Sequence, residues 1–326
     1  MEKYIKNILI KKINEYFRLN LKRNYKFERI NKGRNNNLYK FKYNKLNLVI
    51  KYYNKKKIST FQREKFFYKH LFEKNIKNVP KYFFSIKKKI SVFEYLNGKS
   101  IKVIKNFHIN DSIRFINDLN MNYSNKNFSI ASDGCLSIFD HINIVSKRIK
   151  KFNSIVEKFY QNKKIYFFIK KKITPRFNYE KQLLLQRFKK DLKIPFKNDE
   201  LILSPSDFGF HNILTYKKKI FFFDFEYAGI DDASKLFCDY ICQPDIPLKN
   251  KHINLLLKKI NIKFKNNKKI IQRTKLLLNV HRIKWCMVIL NIFIKGFSRN
   301  LKLKSNIKNL QNRQLEKSIS YYNKYL

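Results

Sequence analysis

The sequence predicts an α+β chain of two lobes, a small β-rich N-terminal lobe over residues 1–97 and a larger, mainly helical lobe over 98–326. Alternating apolar and polar residues crowd the first hundred positions. Later stretches repeat apolar residues at spacings of 3 and 4, and a hairpin pattern interrupts them after residue 212.

Residues 1–29 read as a basic amphipathic helix leading into a strand. A polar turn follows, Asn31-Lys32-Gly33-Arg34-Asn35-Asn36-Asn37. Leu38 to Tyr43 alternates aromatic and basic side chains, and Leu46, Leu48 and Ile50 alternate on the next strand. Residues 58–75 form a helix with Glu64, Tyr68 and Leu71 on one face, because positions i, i+4 and i+7 stack along a helix. Lys89 to Leu96 is a further strand, closed at the hinge Asn97-Gly98. Val145, Ile149, Phe152, Val156 and Phe159 recur at spacings of 4, 3, 4 and 3, which gives a helix with one apolar stripe. Leu276, Val280, Ile283, Met287, Leu290 and Ile294 do the same, and Trp285 and Ile289 widen that stripe to the width of a buried core helix.

Composition narrows the class. A chain of 326 residues that is 44% hydrophobic has the material for a real core and is not disordered, although 29% of it is charged. The formal net charge of +50 invites a polyanion partner. Codon bias in an AT-rich genome is the favoured account of it. Lys, Asn, Ile, Phe and Tyr are abundant, and there are only 6 Gly and 6 Pro. The lysines are spread along the chain rather than gathered in one stripe, so nucleic acid is not expected as a specific partner. Cys135, Cys238, Cys242 and Cys286 form no metal-ligand spacing, and Cys238 and Cys242 are expected in a core. That usage fits a reducing cytoplasm. The apolar run Trp285 to Ile294 is shorter than a bilayer span and the first residues lack a signal-peptide centre, so no transmembrane segment is expected.

The chemistry concentrates between Ser204 and Gly229. Apolar segments 213–216 and 220–223 flank Lys217-Lys218-Lys219, which is a β-hairpin. Asn212 precedes the first strand and Asp224 follows the second, so antiparallel pairing is expected to set their backbones about 5 Å apart. An amide oxygen and a carboxylate at one strand end suit a hard cation such as Mg²⁺. Asp207, on the loop entering the hairpin, can face the same point as a base. Each residue alone has a structural reading as turn, edge cap or N-cap. Offsets of 5 and 12 around one hairpin favour joint chemistry. Gly33, Gly98, Gly209 and Gly229 flank the same segments, in a chain that uses glycine sparingly. Asp231 and Asp232 read as N-caps, Glu226 as a brace for the Asp224 turn, and His211 as loop packing.

Asp207-x-x-x-x-Asn212 followed by Asp224-Phe225-Glu226 resembles the catalytic core of the aminoglycoside phosphotransferase and choline kinase family, relatives of the protein kinases. The resemblance implies a protein-kinase-like two-lobed fold, with ATP and Mg²⁺ as cofactors. It implies Asp207 as catalytic base and Asn212 and Asp224 as metal ligands. Leu48-Val49-Ile50-Lys51 resembles the strand whose lysine grips the nucleotide phosphates, and Arg63-Glu64 the helix that orients it. Phe93 to Gly98 resembles the hinge, where the backbone of Glu94 and Leu96 would read adenine. The turn bearing Gly33 and Asn35 stands where the phosphate-covering loop belongs. Matches run from about residue 30 to residue 240. The chain departs from the family at Pro205, where a His usually precedes the base by two residues, and in having a single glycine in the first turn. Ser204 to Cys242 also resembles a branch found with surface-polysaccharide genes.

The implied activity is transfer of the γ-phosphoryl of ATP to a hydroxyl of a small molecule. The short stretch from Asp224 to the helix at Lys235 leaves no room for a long activation segment, which argues against a protein substrate. With 23 acidic residues against 73 basic ones, a cationic acceptor is disfavoured. A sugar or another neutral or anionic metabolite fits better. The alternative is a non-catalytic basic protein, binding nucleic acid or an anionic surface on a degenerate kinase scaffold.

Overall fold

The computed structural model describes residues 3–21, 25–30, 36–53, 58–87, 89–121, 128–156, 163–264, 267–294 and 307–326. The chain divides into two compact units, Met1–Lys99 with Leu214–Glu226, and Ser100–Ile213 with Tyr227–Leu326.

The first unit is built on five antiparallel strands, β1 (Lys26–Ile30), β2 (Asn37–Tyr43), β3 (Leu46–Tyr52), β4 (Tyr82–Ile86) and β5 (Ile90–Glu94), in the order β1-β2-β3-β5-β4. The strand period of two sorts β3 into two faces. Leu48 and Ile50 join Phe41, Val92 and the α1 (Lys3–Phe17) residues Leu9 and Ile13 in one buried cluster. Lys51 and Tyr53, out of phase with them, meet Glu64 on α2 (Ile58–Glu73). On that helix Phe61, Glu64, Phe67, Tyr68 and Leu71 are all buried, as the expected face requires. β4 is absent from the pattern reading, since Tyr82-Phe83-Phe84 has no apolar–polar alternation to reveal a strand.

After the two-residue strand β6 (Lys99–Ser100), the expected hairpin is present as β8 (Ile213–Tyr216) and β9 (Lys219–Phe222), and its bulk belongs to the first unit. Its turn is one residue shorter than the three expected. Lys219 pairs in β9, leaving Lys217 and Lys218 at φ of 47° and 61°. That is the hand a two-residue type I′ turn demands.

The second unit is mainly helical. It contains α3 (Asn106–Asn120), α4 (Ile138–Val156) and α5 (Lys163–Phe167), which runs through a π-helical turn at Phe168–Ile173 into α6 (Thr174–Phe188). Later come α7 (Ala233–Cys242), α8 (Asn250–Lys263), α9 (Asn267–Ile289) and α10 (Ile307–Tyr325). A two-stranded antiparallel sheet pairs β7 (Leu201–Ser204) with β10 (Gly229–Asp232). Val145, Ile149 and Phe152 of α4 meet Val280, Ile283 and Met287 of α9 in one buried core, so both predicted stripes close on each other. The span Lys268–Phe293 is long and apolar enough to cross a membrane, but 61% of its most apolar window lies inside the protein. Cys238 and Cys242 face the same core, their thiols directed at the carbonyls of Thr274 and Leu278.

Candidate active site

In the first unit the site begins with a turn. Asp224 sits two residues beyond β9 at φ 69°, a left-handed conformation that Asp tolerates better than most side chains. Phe225 locks the turn. Its N–H donates to Glu64 Oε1 at 3.1 Å, and its ring lies 4.7 Å from that of Phe67.

Three carboxylates converge on one ammonium. Lys51 Nζ is 2.6 Å from Asp224 Oδ1, 2.8 Å from Glu64 Oε2 and 3.4 Å from Glu226 Oε2. The Tyr53 hydroxyl also donates to Glu64, and the Asn36 amide donates to Glu226. The side chains of Lys51, Glu64 and Glu226 are 7%, 2% and 1% exposed, whereas Asp224 keeps 40%. Asp224 is therefore the member able to take a ligand. With all four groups ionised the cluster carries two excess negative charges. Burial alone would lower the Lys51 pKa, but Asp224 and Glu64, with Tyr53 and Glu226, hold it well above the ordinary lysine value. Burial pushes the Glu64 carboxyl upward, Lys51 offsets only part of that, and Asp224 adds to it.

The second unit carries the loop after β7. Phe208 and Phe210 are buried, their rings 5.2 Å and 5.1 Å from that of Tyr240. Asp207 before these anchors and His211 after them stay nearer the surface. Asp207 and His211 side chains are 35% and 24% exposed, and His211 Nε2 lies 3.2 Å from Asp207 Oδ1. Asn212 donates its amide N–H to the Asp207 carbonyl at 2.9 Å. With its nitrogen so engaged, the amide oxygen is the atom left for a cation. A Cβ on Gly209 would stand 2.9 Å from His211 Nδ1 and 3.0 Å from Gln243 Cγ, so a side chain there would push the loop open.

The first unit thus assembles Lys51, Glu64 and Asp224, and the second assembles Asp207 and Asn212. Glu94 ends β5, where its N–H donates to the Lys81 carbonyl and its carboxylate accepts from the Lys81 N–H. Leu96 is buried two residues later. Gly33 and Asn35 lie outside the described residues.

Of the two anticipated N-caps only Asp232 acts as one, accepting from the Ser234 N–H at 3.0 Å. Asp231 instead accepts from Lys235 at 2.7 Å and from the Cys135 N–H at 2.8 Å. Both belong to a buried network that the sequence reading missed. His141 links Asp232 (3.1 Å) to His281 (2.9 Å), and His281, Lys284 and Trp285 converge on Asp239. Arg273 joins Asp232 to Glu200. The available signal was the i, i+4 spacing of Asp231, just before α7, with Lys235 and Asp239 on that largely apolar helix. Among the described residues, no group of three or more His, Cys, Asp or Glu side chains is arranged to hold a metal ion.

No protein-family model matches the sequence, and no curated protein matches it. Its fold is nonetheless that of solved small-molecule kinases. Choline kinase LicA from Streptococcus pneumoniae superposes with a TM-score of 0.57 at 13% identity, covering 99% of this chain and 100% of that one. An AMP-bound spectinomycin phosphotransferase gives 0.63 at 11%, covering 96% and 98%. Amicoumacin kinase hAmiN, in complex with AMP-PNP, Ca²⁺ and Ami, gives 0.57 at 12%, covering 100% and 97%. The small antiparallel sheet and the larger helical part match the expected kinase-like architecture.

Proposed function

We propose that the protein is an ATP- and Mg²⁺-dependent phosphotransferase acting on a hydroxyl of a small molecule, with a sugar or related neutral or anionic metabolite favoured as acceptor. The observation that carries the reading is Lys51, buried yet held charged by Glu64 and Asp224. A chain with 23 acidic residues against 73 basic ones has brought three carboxylates to one lysine. The shared fold supports the same activity class. A kinase neighbour solved with a nucleotide analogue and a divalent cation supports the cofactor pair.

In this reading Lys51 neutralises nucleotide phosphates and Glu64 orients it. Asp224 and Asn212 supply one carboxylate and one amide oxygen to Mg²⁺. That donor set fits an ion which takes few protein ligands and completes its shell with phosphate and water. When bound, the ion neutralises phosphate charge. The backbone of Glu94 and Leu96 contacts adenine, and Gly33 and Asn35 lie in the phosphate-covering turn. Asp207 orients the acceptor hydroxyl and takes its proton as the new P–O bond forms and the bond to the ADP oxygen breaks. His211 holds one Asp207 oxygen in place. The cytoplasm, where ATP is available, is the setting this activity requires.

An ADP-release screen over small alcohols, run with wild type, Asp207→Asn and Asp224→Ala, tests the proposal. Asp207→Asn is expected to lose turnover by several orders of magnitude while keeping thermal stabilisation by ATP and Mg²⁺, and Asp224→Ala to lose that stabilisation. Full turnover in Asp207→Asn removes the assigned base. Salt-sensitive nucleic-acid binding with no ATP–Mg²⁺ effect supports instead the non-catalytic basic protein.

A further inference from the structure

Helices α3 and α8 pack against each other in the second unit and start in the same unusual way. Their N-cap residues are Lys105 and Lys249, and the third helical residues are His108 and His252. Neither N-cap side chain accepts a capping hydrogen bond, the His108 ring alone reaching back to the Lys105 N–H at α3, and neither first turn contains an acidic residue. A helix start exposes unpaired N–H groups and roughly half a positive charge, which Asp, Asn, Ser or Thr normally satisfies. Lysine at both positions does the reverse. Lys251 adds a third ammonium.

The two histidines show what such a place is suited to hold. His108 Nδ1 accepts from the Lys105 N–H at 3.0 Å, so a neutral His108 carries its proton on Nε2 as a free donor. His252 opens the buried stripe of α8, with Leu256 and Ile260 below it. It is 3% exposed, and its Nδ1 is buried without a hydrogen-bond partner. Burial and then Lys105, with His252, lower the His108 pKa, while burial, Lys251 and Lys249 lower that of His252. The one acid that acts on this place, Asp111, pulls the His108 pKa upward and also pairs with Arg114 at 3.7 Å. The place adjoins the Asp207 loop, because the His108 ring lies 6.1 Å from that of Phe210.

We propose that the paired starts of α3 and α8, with His108, His252, Lys105, Lys249 and Lys251, bind a phosphate group carried by the acceptor, so that the substrate is a phosphorylated alcohol. Helix N-termini and unpaired N–H groups recognise oxyanions of this kind, and a buried imidazole without a partner gains one by binding. The inference rests on the phosphotransferase reading and specifies its acceptor.

The full chain has six histidines, so selective ¹³C labelling of their rings gives a readable NMR spectrum. Titration with inorganic phosphate is expected to move the His108 and His252 signals to saturation and leave His70 in place. Lys249→Glu is expected to abolish the shift, whereas Lys258→Glu, which makes the same charge change at an exposed position further along α8, retains it. In ADP-release assays a sugar phosphate is expected to exceed its parent sugar at least tenfold in kcat/KM. Lys249→Glu should raise the KM for the sugar phosphate at least tenfold with kcat little changed. Proportional, unsaturable shifts of all six signals overturn the proposal. So does saturable phosphate binding with equal use of sugar and sugar phosphate, which marks a free-anion site. Missing phosphate shifts with ATP–Mg²⁺ stabilisation intact defeat this inference alone. Phosphate shifts without ATP–Mg²⁺ stabilisation defeat the phosphotransferase reading and the acceptor assignment together.

Discussion

Lys51→Met removes the one cation that the described residues place among three carboxylates, and the result can be worked out from burial. Glu64 and Glu226 are almost fully enclosed, so the variant leaves their charges facing each other and Asp224. Removing one partner of a buried ion pair costs about 3–5 kcal/mol. The carboxylates can relieve the strain by taking protons, which makes the cost depend on pH. Burial already raises the Glu64 carboxyl above its ordinary value, and the opposing pull of Lys51 disappears in the variant. A carboxyl whose folded pKa lies above its unfolded value destabilises the fold fully at high pH. It does so less as pH falls toward about 4.3, the ordinary Glu value. The deficit should be large at pH 8 and smaller at pH 5. Circular dichroism follows both units during melting, while Trp285, the single tryptophan, reports only the second. At 4–8 °C per kcal/mol for a small domain, the first-unit transition should drop by on the order of 10–40 °C. The fluorescence transition should stay near its wild-type position. A deficit below about 1 kcal/mol that is the same at both pH values would refute the idea of three ionised carboxylates stabilised by one lysine.

Gly229→Ala places a Cβ 2.4 Å from the Ser129 carbonyl oxygen and 2.6 Å from the Ala131 nitrogen; a loss of about 1–3 kcal/mol, measured by urea unfolding, is expected where backbone cannot yield. Replacing Lys217 and Lys218 with Asn and Gly suits their left-handed φ values, and a gain of roughly 1 kcal/mol should appear as slower amide exchange in β8 and β9. Burial, then Lys284, depresses the His281 pKa to about 3. Its contribution to stability is complete above the ordinary histidine value near 6.5 and is lost as pH falls from there through about 3. Between pH 7.5 and pH 5 the second unit should therefore lose about 2 kcal/mol in Trp285-monitored urea unfolding, with His108 and His252 adding in the same direction. His281→Gln should flatten the slope.

The elements that the sequence made legible are those with a clean period. The α2 face, both strands of the first hairpin and the α4 and α9 stripes could be read because 2.0 and 3.6 residue repeats leave a mark in local order. β4 left none, since apolar residues occupy both of its faces. Asp207, Asn212 and Asp224 were legible as a spacing around a hairpin, but their immediate partners were not. His211 lies beside Asp207, and Glu226, expected to brace the Asp224 turn, meets Lys51 and Asn36. Asp231 was expected to cap a helix and is an ion-pair partner inside the second unit. Cap and buried pair have the same local sequence, and only the presence of Lys235 in an apolar interior separates them.

Local order, then, determined the strands, the helices and which side of each is apolar. Residue chemistry marked Asp207, Asn212 and Asp224 as candidates, and the family resemblance marked Lys51. Tertiary structure alone decided that residues 214–226 join the N-terminal unit, that Asp224 meets Lys51 across 173 positions, and that Glu226 meets Asn36 across 190. Periodicity reports that a face is buried and carries no record of what covers it. The partner of a charge is set by where distant segments cross, and that crossing is a property of packing.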